Sequence, residues 1–315
     1  MTDDIARTTI VTLPDDAGRL SPPSDADLAT MLLIRHFELA LLDLFTRGEV
    51  HGTTHTCLGQ EYVPVALAPL LGESDYVFSN HRGHGHYIAR FGDPAGLLAE
   101  IMGREGAVCN GVGGSQHIFR DRYLSTGVQG ESLPVAAGVA LHLKRHVPGA
   151  LALAYIGDGT WGEGAVYEAL NLAALWRLPL LVIVENNGIA QSTATAAQMA
   201  GTIRDRAAAF GIAHLRVDST SLAALRTAVG PLVATVRDGA PLVLEFVTNR
   251  LGPHSKSDDT RTDAELRRVR ASDWYPLYRA ELGERFADAD AVAAERVARL
   301  VAEVAARPPS VWSAA

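Results

Sequence analysis

Two short polar motifs in the middle of the chain have residue types that suit the binding of a hard metal ion. Gly157-Asp158-Gly159 and Glu185-Asn186-Asn187-Gly188 each follow an apolar run of the kind that forms a buried strand. Asp158 offers a carboxylate and Asn187 offers an amide oxygen. Magnesium accepts a small set of such oxygen ligands and completes its shell with water and phosphate oxygens.

The spacing of the two motifs matches one strand–helix–strand unit, whose strands are parallel and whose crossover is right-handed. If the two strands are neighbours, their carboxyl ends lie about 5 Å apart, at the edge where open α/β sheets bind ligands. A helix predicted to begin near Gly162 would aim its amino end at this edge, which favours a diphosphate. Each motif alone is also good turn chemistry, so the pairing across one crossover carries the prediction.

The second half of the chain alternates helices and strands in a regular way. Apolar periodicity predicts helices over 131–147, 162–177, 197–210 and 221–238, and buried strands over 151–156, 180–184, 214–217 and 242–247. This alternation predicts the α/β class, with a doubly wound parallel sheet that carries helices on both faces.

The flanking segments differ in character. Residues 28–47 have helical periodicity, with Asp25 or Asp27 as a possible cap and Gly48 as the stop. Residues 50–130 are rich in Gly and His, which is typical of loops around a site. Residues 262–306 suggest two or three amphipathic helices. The predicted organisation is a flexible arm over 1–27, an α/β domain over 28–260 and a C-terminal helical segment over 261–315.

Composition excludes several classes of protein. The 315 residues carry a formal net charge of −8, whereas a nucleic-acid binder usually shows a basic stripe. No apolar stretch approaches the roughly 20 residues that cross a bilayer, and the polar first segment does not match a secretory signal. Cys57 and Cys109 match no zinc spacing, so we expect reduced thiols in a cytoplasmic protein.

The two motifs together resemble the thiamine diphosphate fingerprint. The run 167–179 is similar to the alpha subunit of the decarboxylase component of 2-oxo acid dehydrogenases, a family that includes the pyruvate, branched-chain and acetoin enzymes. The resemblance covers roughly residues 28–285. Further similar motifs are His55 with Gly59-Gln60-Glu61, His81-Arg82-Gly83-His84-Gly85, Gly113-Gly114-Ser115-Gln116-His117 and His254-Ser255-Lys256-Ser257-Asp258.

The resemblance implies a role for each matching residue. Asp158, Asn187 and the backbone carbonyl of Ile189 would bind Mg²⁺, and Arg82 would contact the diphosphate of the cofactor. The remaining cofactor-binding positions are Gly130, Leu133, Gly157, Gly159 and His254. The catalytic candidates are His254 at the cofactor and three histidines in or near the substrate channel, namely His55, His84 and His117.

The same resemblance implies decarboxylation of a 2-oxo acid and transfer of the acyl unit to a lipoyl acceptor. In this family the glutamate that activates the pyrimidine ring lies on a separate beta subunit. The present chain shows one regular βαβ array and only the diphosphate motif. We therefore expect a beta-subunit partner in an α2β2 assembly, with a lipoyl acyltransferase as a further partner.

Several alternatives stay open from the sequence. The enzyme could be a carboligase that passes its acyl unit to an aldehyde or acyl thioester, or a non-catalytic regulatory subunit. A nucleotide-binding protein is disfavoured because the chain has no Gly-Lys-Ser loop. The histidines from His81 to His86 could bind a transition metal, although Arg82 among them repels a cation. Asp258-Asp259 looks more like branched-chain than pyruvate enzymes, so the substrate is left open.

Overall fold

The computed structural model describes residues 21–255 and 259–312. Most of the predicted flexible arm therefore lies outside the described residues, as do Lys256, Ser257 and Asp258. The chain divides into two compact units. The first unit contains Pro69–Asn80 and Thr126–Thr248, and the second contains the described residues of Leu20–Ala68, His81–Ser125 and Asn249–Ala315. The three-segment organisation inferred from the sequence stays a prediction.

The helices range from single turns to six turns in length. In chain order they are α1 (Asp25–Thr46), α2 (Tyr62–Leu67), α3 (His84–Phe91), α4 (Pro94–Met102), α5 (Ser132–His146), α6 (Gly164–Leu175), α7 (Thr195–Gln198), α8 (Ile203–Ala209), α9 (Leu222–Arg237), α10 (Asp263–Ala271), α11 (Trp274–Leu282) and α12 (Glu284–Ala305). Short 3₁₀ turns cover Ala68–Leu70 and Asp158–Gly162.

The strands are mostly short. In chain order they are β1 (Tyr76–Ser79), β2 (Phe119–Arg120), β3 (Tyr123–Ser125), β4 (Ala152–Gly157), β5 (Leu180–Asn186), β6 (Ile189–Ala190), β7 (Thr193–Ala194), β8 (Ala213–Val217) and β9 (Leu242–Val247).

The first unit is built on a parallel sheet in which five strands follow the order β1-β4-β5-β9-β8. Helices α5, α8 and α9 pack against these strands. The middle strands β4 and β5 are almost completely buried, which explains why their sequences are continuous apolar runs rather than alternating ones. The predicted α/β class with a parallel, helix-covered sheet is confirmed.

The second unit is mainly helical, with a short β2-β3 hairpin. Its long helix α1 packs against α12, and Phe37, Leu41 and Leu44 on α1 are buried as the helical periodicity requires. The predicted cap was wrong, because the Ser24 side chain accepts the hydrogen bond from the Asp27 amide. The predicted C-terminal helices are confirmed as α10, α11 and α12.

Local predictions failed where helices are short. Residues 50–130 were expected to be loops, but they contain α2, α3, α4 and β1, and much of this segment is buried. The helix predicted over 197–210 is two helices, α7 and α8, separated at Gly201, whose φ is +73°. The helix expected near Gly162 begins at Gly164, after the 3₁₀ turn. Single-sequence periodicity cannot resolve elements of one or two turns.

Two further sequence expectations concern the chain as a whole. Within the described ranges, no helix has the length and apolar character needed to span a membrane. Cys57 and Cys109 are both free thiols.

Candidate functional site

The strand tips of the first unit bring the predicted metal ligands to one edge of the sheet. Strands β4 and β5 are parallel neighbours, and Gly157 is in register with Glu185. The expectation that the two apolar runs form adjacent strands is therefore confirmed. Asp158 lies one residue beyond Gly157, and Asn187 lies two residues beyond Glu185. At this point adjacent parallel strands end about 5 Å apart.

The turn that carries Asp158 lies tightly against the segment that follows Asn187. A Cβ atom on Gly159 would lie 2.5 Å from the Cβ of Ala190, so only glycine permits this approach. The buried Asp158 accepts a hydrogen bond at Oδ2 from the Thr195 hydroxyl. A carboxylate, an amide oxygen and the adjacent Ile189 carbonyl are hard oxygen donors, so this part of the chain fits a magnesium ion with few protein ligands.

One of the two predicted ring-binding positions, Gly130, lies beside the same turn. Gly130 has a φ of +89°, and a Cβ there would lie 2.9 Å from the Cβ of Glu163, which directly precedes α6. Next to it, the Thr160 hydroxyl donates to the Gln129 side-chain oxygen at 2.7 Å. Leu133 is fully buried at the start of α5. The structure thus brings Gly130 next to the residue that follows the Asp158–Gly162 turn.

Three histidines that are far apart in the sequence meet in the second unit. The Nε2 atoms of His55 and His254 are 3.1 Å apart, and the His81 ring lies 4.7 Å from the His55 ring centroid. A potential ligand atom from each of the three lies within 4.8 Å of the others. The transition-metal alternative was framed for His81, His84 and His86, but the described residues place only His81 in such a group.

Arg82 determines which nitrogen of His254 carries the proton. The buried guanidinium donates to the Thr56 carbonyl at 2.6 Å and to the His254 carbonyl at 3.1 Å, and it lies 3.3 Å from His254 Nδ1. Arginine has donors and no acceptor, so Nδ1 must accept. A neutral His254 therefore carries its proton on Nε2 and donates it toward His55.

His81 has a perturbed acidity. Burial, followed by the positive charge of Arg82 and the neighbouring His55 and His254, lowers the pKa of His81 well below 6.5. The imidazole is consequently neutral at pH 7 and can both donate and accept hydrogen bonds. This neutral state avoids a second cation beside the Arg82 guanidinium.

The predicted catalytic residue His84 belongs to a separate buried network. Its Nδ1 lies 3.1 Å from both oxygens of Glu38, and its Nε2 lies 3.2 Å from the Ser115 carbonyl. The Cys57 amide and thiol also donate to Glu38. Burial alone raises the pKa of Glu38, but the charge and hydrogen bonds of His84 and Cys57 outweigh it, so the pKa is lowered.

His117 lies at the end of a glycine-rich loop and is exposed. The loop is held by Glu100, a buried carboxylate that accepts hydrogen bonds from the amides of Cys109, Gly111 and Gly113 at 2.6–3.0 Å. Glu100 thus fixes the segment that presents His117. The structure does not place His117 in the three-histidine group.

Sequence reasoning missed several polar residues that organise these sites. Glu38 sits on the apolar face of α1, and Glu245 interrupts the apolar strand β9. A charged residue within an apolar pattern requires a partner when buried, and this signal was present in the sequence. Thr195 gave no comparable signal, because its contact with Asp158 depends on the fold of α7.

The chain is similar to known proteins over most of its length. The family model for the dehydrogenase E1 component matches residues 29–307. The chain is 37% identical to the alpha subunit of acetoin:2,6-dichlorophenolindophenol oxidoreductase from Cupriavidus necator, over 88% of this chain and 84% of the relative. It is also 37% identical to the pyruvate dehydrogenase E1 component alpha subunit of Rhizobium meliloti, over 76% of this chain and 71% of that relative. The corresponding Zymomonas mobilis subunit is 39% identical, over 73% of this chain and 67% of that relative.

Fold and sheet edge together define an α/β protein whose ligand site is expected at the carboxyl ends of parallel strands. The match of the family model and the identity to the alpha-type relatives narrow this class to one family. The chain belongs to the dehydrogenase E1 component family, whose members depend on thiamine diphosphate.

Proposed function

We propose that this chain is the alpha subunit of a thiamine diphosphate-dependent enzyme that decarboxylates a 2-oxo acid and passes the acyl unit to a lipoyl acceptor. The single observation that carries the proposal is the parallel pairing of β4 and β5. Because of its register, Asp158 and Asn187 follow the ends of two adjacent strands. Family membership and the three alpha-type relatives support it.

The metal and cofactor roles follow the sequence prediction. Asp158, Asn187 and the Ile189 carbonyl hold Mg²⁺, which neutralises the diphosphate of the cofactor. Gly157 and Gly159 keep side chains out of the turn, and Gly130 and Leu133 offer backbone groups to the pyrimidine ring. When bound, thiamine diphosphate supplies the electron sink that lets a 2-oxo acid lose carbon dioxide.

The second unit contributes groups that bind anions and carry protons. Arg82 presents a planar guanidinium that suits phosphate oxygens. His254 holds a proton on Nε2, and His55 Nε2 is the nearby acceptor. His84, oriented by Glu38, and His117 are the further proton carriers that we propose near the substrate.

We propose a beta-type partner chain in an α2β2 assembly, because the relatives are named as alpha subunits. The partner would supply the glutamate that activates the pyrimidine ring, and a lipoyl acyltransferase would receive the acyl unit. The cytoplasmic location inferred from the two cysteines is part of the same proposal.

Acetoin is a second candidate substrate, since a relative that aligns with 88% of this chain is named for acetoin oxidation. The same set of residues would then act on a hydroxyketone rather than a 2-oxo acid. Turnover of pyruvate, branched-chain 2-oxo acids and acetoin, with 2,6-dichlorophenolindophenol as electron acceptor, separates these substrates.

The cofactor proposal is tested with Asp158→Ala. We expect the variant to lose magnesium-dependent binding of thiamine diphosphate in a calorimetric titration, while its circular dichroism matches that of the wild type. Unchanged tight binding would show that the metal site is assigned to the wrong residues.

The chain purified alone should show no decarboxylase activity, and turnover by the single polypeptide would contradict the partner proposal.

A further inference from the structure

A continuous set of hydrogen bonds joins the far side of the first unit's sheet to the segment around Asn187. His214 on β8 lies with its Nε2 2.8 Å from Glu245 Oε2 on β9. The other oxygen of Glu245 accepts from the Asn186 side-chain amide at 2.8 Å. The Asn186 side-chain oxygen in turn accepts from the Gly188 amide at 3.0 Å.

These bonds enclose the predicted metal ligand. Asn187 lies between Asn186 and Gly188, and Gly188 has a φ of +75°, so the backbone turns sharply at this point. The Gly188 carbonyl then accepts from the Thr195 amide at 3.0 Å, and the Thr195 hydroxyl donates to Asp158. The two predicted side-chain ligands of the metal are thus connected through one network.

Glu245 occupies the centre of this network. Its side chain is 8% exposed and that of His214 is 4% exposed. A buried carboxylate needs hydrogen-bond donors to remain charged. In this network the donors come from β8 and from the end of β5, so the carboxylate ties the Asn186 side chain to the sheet. Without Glu245, the Asn186 side chain would keep its bond to the Gly188 amide but would lose its link to the sheet.

We propose, on the basis of the function proposed above, that Glu245 is a positioning residue that sets the metal-binding conformation of Asn187 through Asn186. Residues that orient metal ligands in this way typically change metal affinity by about 10- to 100-fold when they are removed. The role requires no contact between Glu245 and the metal.

The test uses the full chain co-purified with its beta-type partner. Thiamine diphosphate is titrated calorimetrically at a series of Mg²⁺ concentrations, which gives the Mg²⁺ concentration for half-maximal cofactor binding. The apo-protein unfolding temperature is measured in parallel. For Glu245→Ala we expect the half-maximal Mg²⁺ concentration to rise about 10- to 100-fold. Glu245→Gln keeps an acceptor for the Asn186 amide and should recover most of the affinity.

Asp75→Asn is the matched control. Asp75 is another buried acid of the same unit, paired with Arg237 at 2.7 Å, and it binds the Leu151 amide at the opposite end of β4. We expect it to lower the unfolding temperature and leave the Mg²⁺ requirement unchanged. Equal shifts in Mg²⁺ requirement for Asp75→Asn and Glu245→Ala would reduce Glu245 to a structural role and overturn the inference.

Asn186→Ala provides a second route in case Glu245→Ala does not fold. It removes the same link while keeping the carboxylate that pairs with His214, and it should give a similar rise in Mg²⁺ requirement. If Glu245 and Asn186 act through the same link, the double variant should need no more Mg²⁺ for half-maximal cofactor binding than either single variant. Fully additive effects, or wild-type affinity in either single variant, would contradict the role of Glu245. Loss of Mg²⁺ dependence in the wild type, or its retention in Asp158→Ala, would instead refute the proposed function itself.

Discussion

At the residue scale, the chemistry of this chain depends on which groups are kept neutral and which are kept charged. Arg82 forces the proton of neutral His254 onto Nε2, whereas Glu38 accepts hydrogen bonds from Cys57 and lies against His84. Both constraints arise because a guanidinium only donates and a carboxylate only accepts. Arg82 therefore makes His254 Nδ1 an acceptor, and Glu38 makes His84 Nδ1 a donor.

His81 makes a prediction about pH. Its folded-state pKa is lowered below 6.5, so below pH 6.5 the unfolded chain binds a proton that the folded chain excludes. The sign is that stability rises with pH in this window and falls as the pH drops below 6.5. We expect His81→Gln to remove a dependence of up to about 1.4 kcal/mol per pH unit.

Urea denaturation of both proteins between pH 5 and pH 7 measures this difference. Gln at the exposed His51 is the control for loss of an imidazole from the surface. A wild-type slope that persists in His81→Gln would show that other groups cause the pH dependence.

At the element scale, close approaches between backbone segments determine where the site residues stand. Gly59 has a φ of +94°, and a Cβ there would lie 2.2 Å from the Asn249 carbonyl oxygen. The Leu251 amide donates to the Leu58 carbonyl beside it at 3.1 Å. Glycine thus lets the segment after His55 pack directly against the segment that leads to His254.

Gly59→Ala should therefore destabilise the protein more than an ordinary left-handed glycine does. Gly52 has a φ of +83°, and a Cβ there would meet no other atom within 4 Å, so Gly52→Ala should cost about 1–2 kcal/mol from backbone strain alone. The clash at Gly59 should add about 1–3 kcal/mol. Thermal and chemical unfolding compare the two variants, and equal losses would mean that the 59–249 contact yields without cost.

At the scale of the whole chain, distant segments are joined through buried ion pairs within the second unit. Arg35 on α1 donates two hydrogen bonds to Asp273, just before α11, and a third to Glu61 at 2.5 Å. The Trp274 indole also donates to Glu61 at 2.7 Å. The helices that follow residue 261 are thereby connected to the first helix of the chain.

Asp273→Ala should test how strongly this connection stabilises the fold. It leaves the buried Arg35 guanidinium without its bidentate partner, which typically costs about 3–5 kcal/mol. The matched control, Arg299→Ala, breaks an exposed pair with Glu295 and should cost less than about 1 kcal/mol. Guanidinium unfolding gives both values, and a loss at Asp273 as small as that at Arg299 would contradict the expectation.

The sequence alone determined the α/β class, the four main strands of the second half and the edge at which Asp158 and Asn187 emerge. These features depend on local information, because an apolar run of strand length and the turn residues that follow it are contiguous in the sequence. Short helices such as α2 and α3 were not predicted, because one or two turns carry too little periodicity to be recognised.

Only the tertiary structure decided which side chains meet. From the sequence, a metal site of His81, His84 and His86 was only an alternative. The fold places His81 with His55 and His254 and pairs His84 with Glu38. The physical reason is that such meetings depend on the packing of elements that are remote in sequence. A charged residue in an apolar run, such as Glu245, indicates that a buried partner is needed. Only the register of neighbouring strands shows which residue that partner is.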